Sequence, residues 1–140
     1  EMLKKYAGFK YANYITAVDK EFAHKDGIFT SMGIDQVFGT KELARIIPGE
    51  PLAWGYSDHQ MFPTLLPFMR DHEKQQPFLL SLSTVDTHPP FNLAKDELPY
   101  GDGKQDVLNT FYTTDDAFFK FWKDFKASPF ASNTIVAGQP

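Results

Sequence analysis

Pro77-Phe78-Leu79-Leu80-Ser81-Leu82-Ser83-Thr84-Val85 is the stretch on which the fold turns. Its nearly continuous apolar character suits a strand covered on both faces, as in a parallel sheet, and predicts a buried, central strand. Upstream, Ser57-Asp58 starts a helix: Ser57 can serve as N-cap, and Met61, Leu65, Phe68 and Met69 recur at helical spacing. His72 and Lys74 place positive charge near its C-terminal end, Pro63 falls in its first two turns, and Pro67 is expected to kink it. Before that helix, Thr40 to Gly55 holds Pro48, Gly49 and Pro51, which predicts an irregular connection.

Further out, Ala12 to Val18 reads as a short strand, Glu21 to Met32 as a helix that Gly33 terminates, and Ile34 to Phe38 as a second short strand. Downstream, Asp86 to Gly103 is loop and Val107 to Lys126 the longest helix, with Phe111, Phe118, Trp122 and Phe125 forming its packed face. Asn133 to Ala137 begins a last strand. This alternation predicts an α/β fold: a parallel sheet flanked by helices and joined by right-handed crossovers.

The 140 residues, 42% hydrophobic and 16% aromatic, suffice for one domain. Charged residues make up 23% with a net charge of -4 and a pI of about 5.5, so no basic face exists to neutralise phosphates and nucleic acid is excluded as a partner. No stretch reaches the ~20 apolar residues of a membrane span, and Glu1-Met2-Leu3-Lys4-Lys5 lacks the apolar run of a signal peptide. The absence of cysteine excludes disulfides, thiolate nucleophiles and Cys-built zinc sites, and leaves the compartment open.

In open α/β sheets ligands gather at the carboxyl ends of the strands, where Asp86-Thr87-His88 leaves the Pro77–Val85 segment. Pro89-Pro90 restricts the backbone after His88, and Asp86 could orient its ring. Read from the residues alone, His88 is either a loop histidine bonded to backbone or a ligand contact. Adjacent helix positions point about 100° apart, which argues against a shared metal at Asp115-Asp116. His24-Lys25-Asp26 could present a cation to an anionic substrate or form a solvated helix face. Asp58-His59 is a possible metal pair, but the first-turn position favours dipole complementarity for Asp58. No glycine-rich phosphate loop, Gly-x-Ser-x-Gly elbow or His-Glu-x-x-His is present.

The segment Pro77 to Phe91 resembles the stretch of the sulfatase and lipoteichoic acid synthase family in which a Pro-Phe strand ends in Ser/Thr-x-His-x-Pro-Phe. Gly8-Phe9-Lys10-Tyr11-Ala12 is similar to the family's Gly-Tyr-x-Thr-Ala strand entry, and Gly33-Ile34-Asp35-Gln36-Val37-Phe38 to its Gly-(Tyr/Phe)-Asp-x-Phe-(Phe/Ile) turn. Trp54-Gly55-Tyr56-Ser57-Asp58 resembles the Trp-Gly-x-x-Asp helix start. Thr114-Asp115-Asp116-Ala117-Phe118-Phe119-Lys120-Phe121 resembles the helix Tyr-x-Asp-x-Ala-Leu-x-x-Phe, and Asn133-Thr134-Ile135-Val136 the Asn-Thr-(Ile/Val)-(Ile/Val) strand after it. The blocks follow in the family's order over nearly the whole chain.

This resemblance implies a partial alkaline-phosphatase-like core of an enzyme that cleaves sulfate or phosphate esters, or transfers phosphoglycerol or phosphoethanolamine. It implies a covalent nucleophile and a divalent metal (Mn, Mg or Ca) in the full-length enzyme, with none expected on this segment alone. His88 corresponds to a substrate-contacting histidine. Lys25 falls where lipoteichoic acid synthases carry a substrate-binding arginine, and Ala23 where they carry a tryptophan. Lysine can hold an anion as a point charge but lacks the planar fork that grips two oxygens. The family's nucleophile lies N-terminal to the region resembled and its Asp-His metal pair follows the Asn-Thr-Ile strand. Residues 1–140 are therefore expected to be one segment of a catalytic domain whose full-length protein is membrane-anchored and extracytoplasmic, with the anchor outside this chain. The alternative is an inactive domain of the same fold serving as a binding module.

Overall fold

The structure, a computed structural model, describes residues 2–95 and 97–138. Helix α1 (Met2–Ala7) leads into strand β1 (Tyr11–Thr16), helix α2 (Lys25–Ser31) and strand β2 (Gln36–Phe38). A short helix α3 (Thr40–Leu43) precedes the long connection to α4 (Asp58–Met61) and α5 (Leu65–Asp71), after which come strand β3 (Phe78–Ser83) and the long helix α6 (Asp106–Lys126). The strands form one parallel sheet in the order β2-β1-β3, with Tyr14 opposite Val37 and Ser81.

Strand β1 is the centre because every residue from Ala12 to Thr16 is buried. The pleat sends Tyr14 and Ile15 to opposite faces. Tyr14 stacks on Phe29 of α2 at 3.9 Å. Ile15 joins the core of Leu43, Met61, Leu65, Phe68, Phe121 and Phe125, to which α3, α4, α5 and α6 contribute. Gly33, at φ +96°, supplies the left-handed turn that closes α2. Asp35 then accepts the Ala12 N–H at 2.8 Å and pairs with Lys4, tying α1 and the β2 entry to the sheet.

Several expectations are corrected. Segment Pro77 to Val85 does form a parallel strand, but β3 stands at an edge of the sheet and is half-buried along its length. Its register explains why. Phe78, Leu80 and Leu82 align with Tyr11, Asn13 and Ile15 and pack on the core, whereas Ser81 and Ser83 align with Tyr14 and Thr16 on the other face. The serines give the strand one polar side, so it is not apolar on both.

Asn133 to Ala137 forms no strand; Ile135 is 95% exposed. Residues Gln139 and Pro140, which continue that segment, lie outside the described residues. The helix expected from Ser57 divides into α4, a 3-10 turn over Phe62–Thr64 that contains Pro63, and α5, with Pro67 accommodated in the first turn of α5.

Helix α6 is also rotated from expectation. Its buried residues are Asn109, Thr110, Thr113, Ala117, Phe121 and Phe125, while Phe111 and Phe118 are exposed. Small polar residues can face the interior because their groups are satisfied locally. Thr110 and Thr113 donate to the carbonyls of Val107 and Thr110, and Asn109 accepts from Tyr100 N–H and donates to Gly103 O. Of the expected stripe only Phe125 is fully buried; Trp122 is half-buried against it, ring centroids 5.5 Å apart.

Candidate functional site

Parallel strands release all their following loops at one end of the sheet, and three of these loops meet there. The segment after β1 carries Phe22 and, at the start of α2, Lys25; the connection after β2 carries Trp54, and the loop after β3 carries Asp86 and His88. Ala17, at the end of β1, organises them: its N–H donates to Ser83 O at 3.0 Å and its carbonyl accepts from Tyr56 N–H at 3.0 Å.

Gly55 makes that last contact possible. A side chain there would place Cβ 2.0 Å from Ala17 O, and the backbone sits at φ +152°. Leu52 and Gly55 close the tight turn by mutual backbone bonds of 2.7 and 3.1 Å, and Trp54 stands on it. The indole lies beside the His88 ring, centroids 5.4 Å apart, and the Phe22 ring meets the indole edge-on at 6.0 Å.

His88 is exposed and fixed from its own backbone side. Its N–H donates to Val85 O at 2.9 Å, and ring Nδ1 lies 2.7 Å from Pro89 O. A carbonyl can only accept, so Nδ1 carries the proton and Nε2 is left for a ligand. In the neutral ring Nε2 offers a lone pair; in the doubly protonated ring it donates. Leu52, Trp54, Val85, His88, Pro90 and Asn92 line a shallow pocket at this point.

Asp86 does not orient His88 as expected. It turns inward, where its Oδ2 accepts the Asp58 N–H at 2.7 Å and so caps α4 from across the fold. Asp58 is itself wholly buried, and its Oδ2 accepts the Thr114 hydroxyl at 2.7 Å. Two carboxyls are thus buried side by side. Burial first, then the neighbouring charge of Asp58 and of Glu97, pushes Asp86 from the usual 3.8 to about 7, and burial raises Asp58 as well, against the bond from Thr114. The dipole argument for Asp58 captures its helix-start position but misses this pairing.

The remaining candidates separate. Lys25 begins α2 after Ala23 and His24, both in the left-handed region at φ 55° and 54°. Its ammonium has no hydrogen-bond or ion-pair partner among the described residues, and no bond joins it to His88. The Lys25 backbone N–H donates to Phe22 O, and the Phe22 ring in turn meets Trp54. Asp115 is exposed, whereas Asp116 pairs with Lys120 at 2.6 Å and with His59 at 3.3 Å, so the adjacent carboxylates do diverge. The His59 ring thus faces Asp116 on α6.

The family model for Sulfatase matches residues 3–137. This chain belongs to the sulfatase family. Among curated relatives, the phosphoglycerol transferase I of Salmonella typhi is 27% identical and that of Escherichia fergusonii 30% identical, each over 135 residues. These alignments cover 90% of this chain and 18% of each relative, so the chain spans about a fifth of their length. The lipoteichoic acid synthase LtaP from Listeria monocytogenes superposes with a TM-score of 0.73 at 19% identity, over 91% of this chain and 33% of that one. A protein of the alkaline phosphatase superfamily from Vibrio parahaemolyticus gives 0.74 at 24% identity, over 91% and 31%. The α/β core is therefore a partial alkaline-phosphatase-like one.

A sulfatase-family enzyme implies a divalent metal. Among the described residues no group of three or more His, Asp or Glu side chains is arranged to hold one. Nor is any helix among them long and apolar enough to cross a membrane. Sequence reasoning did not weigh the Asp58–Asp86 pair or the Phe22–Trp54–His88 cluster. The Trp-Gly-x-x-Asp block held the signal for both, since it ends in Asp58 and begins with Trp54.

Proposed function

We propose that this chain forms the substrate-facing middle of a sulfatase-family catalytic domain acting on sulfate or phosphate esters of the cell envelope, phosphoglycerol or phosphoethanolamine transfer included. His88 contacts the anionic group through Nε2, and Lys25, at the neighbouring loop, supplies positive charge nearby. In the whole protein the nucleophile and the Asp-His metal pair come from segments outside these 140 residues, as does the membrane anchor, and the active site faces the extracytoplasmic side.

The observation that supports this reading is the committed Nδ1 of His88. With that nitrogen bonded to Pro89 O, the imidazole can grip an anionic oxygen only as a doubly protonated donor through Nε2. The test is a titration of the 140-residue chain with inorganic phosphate and sulfate, read by the nitrogen shifts of His88. Binding that moves the His88 ring nitrogens, and that His88→Ala abolishes, supports the reading; anion binding indifferent to His88→Ala refutes it. In the whole enzyme the same change is expected to lower kcat/KM by roughly ten- to a hundredfold, the worth of one charge-assisted hydrogen bond. The chain by itself is expected to show no ester turnover.

A further inference from the structure

We infer that Trp54, backed by Phe22, is the wall against which the organic part of the ester packs beside His88, so that the site binds an anion carrying a flat or apolar organic group more tightly than the bare inorganic anion. The inference rests on His88 as the anion contact and adds what lies next to the anion.

Three observations point to it. First, Trp54 and Phe22 are 46% and 50% exposed although both are large aromatics, and they touch each other and the same end of the sheet. Second, Trp54 is held in place. Its turn is closed at Leu52 and Gly55, and Gly55 is pressed onto Ala17 O with no room for a Cβ, so the backbone carrying the indole cannot shift without disturbing β1, while the Phe22 and His88 rings flank the indole itself. A side chain pre-positioned in this way loses little freedom when a ligand packs on it. Third, the indole borders the His88 ring and both line the same pocket, so a group bonded to an anion held at Nε2 has the indole as its neighbour. Ring-on-ring contact of this kind is expected to improve binding roughly threefold to tenfold over the bare anion.

The experiment compares inorganic phosphate with phenyl phosphate on the 140-residue chain, following the ring nitrogens of His88 and the indole N–H of Trp54, with Trp122 as the internal reference. Phenyl phosphate should bind roughly threefold to tenfold more tightly and move the Trp54 resonance while Trp122 stays still. Trp54→Ala should bring the two affinities together, and Trp54→Phe should restore part of the gap, which a collapsed fold could not do. Equal affinities on the wild-type chain, or a phenyl preference that survives Trp54→Ala, would overturn the inference. If neither phosphate perturbs His88, the anion reading itself has failed, and the aromatic wall falls with it. A preference lost on Trp54→Ala while phosphate still moves His88 separates the two.

Discussion

Replacing Asp86 by Asn should change how the stability of this chain depends on pH. Asp86 is buried beside Asp58, and its folded-state value of about 7 lies above the 3.8 it has when solvated. Between these two values the native state holds a proton that the unfolded chain has released, so native stability falls as pH rises, by about 1.4 kcal/mol per pH unit and roughly 4 kcal/mol in all. Below the lower value the contribution is fully present; above about pH 7 it is lost, because the buried carboxyl must then ionise next to another carboxyl. An asparagine keeps an oxygen for the Asp58 N–H, bonded at 2.7 Å in the wild type, and cannot ionise. Asp58 remains in both proteins, so its own titration cancels to first order. Urea unfolding of both proteins at about pH 4, 6 and 8 should show Asp86→Asn gaining on the wild type with each step up, by up to about 4 kcal/mol in total. A gap that does not vary with pH, or a wild type that gains as pH rises, would refute the assignment of Asp86 as a carboxyl kept neutral by burial.

Gly55→Ala should cost more than about 3 kcal/mol, because its Cβ would meet Ala17 O at 2.0 Å; a loss below about 1 kcal/mol in chemical denaturation would mean that the turn can move off the sheet. Thr114→Val removes the hydroxyl donating to Asp58 Oδ2 and should cost about 1–3 kcal/mol, most at high pH where Asp58 is charged; equal cost at all pH values would contradict that bond. Thr16→Val removes a buried hydroxyl that has no hydrogen-bond partner among the described residues and should raise stability by about 1 kcal/mol, with a fall in Tm as the contrary result.

The parallel α/β order was legible because it depends on segment types, and strands near Ala12, Ile34 and Pro77 do pair in one sheet. Which strand is central was not. Leu79 beside Leu80 hides the alternation of β3, and only the register with β1 shows Ser81 and Ser83 sharing a face with Tyr14 and Thr16. Helix α6 misled for a related reason. Hydrophobicity alone chooses Phe111 and Phe118 for the interior, yet Thr110, Thr113 and Ala117 are small enough to let the helix approach its neighbours and the hydroxyls bond within their own helix. At the site, a local pattern picked out His88, and Asp86 was noticed but given the wrong partner. Its real one is 28 residues away, a distance over which spacing holds no information.

The lack of a side chain at Gly55 decides how this surface moves. Because the Tyr56 amide is bonded to the carbonyl of the buried Ala17, just past the end of the central strand, opening the Trp54 turn means parting it from β1. The Tyr56 amide should therefore exchange its hydrogen with solvent on the timescale of the sheet, far more slowly than exposed loop amides such as those near Gly101. In mechanical terms the turn is an outlying part of the strand, and a ligand that presses on the indole presses on the backbone of β1.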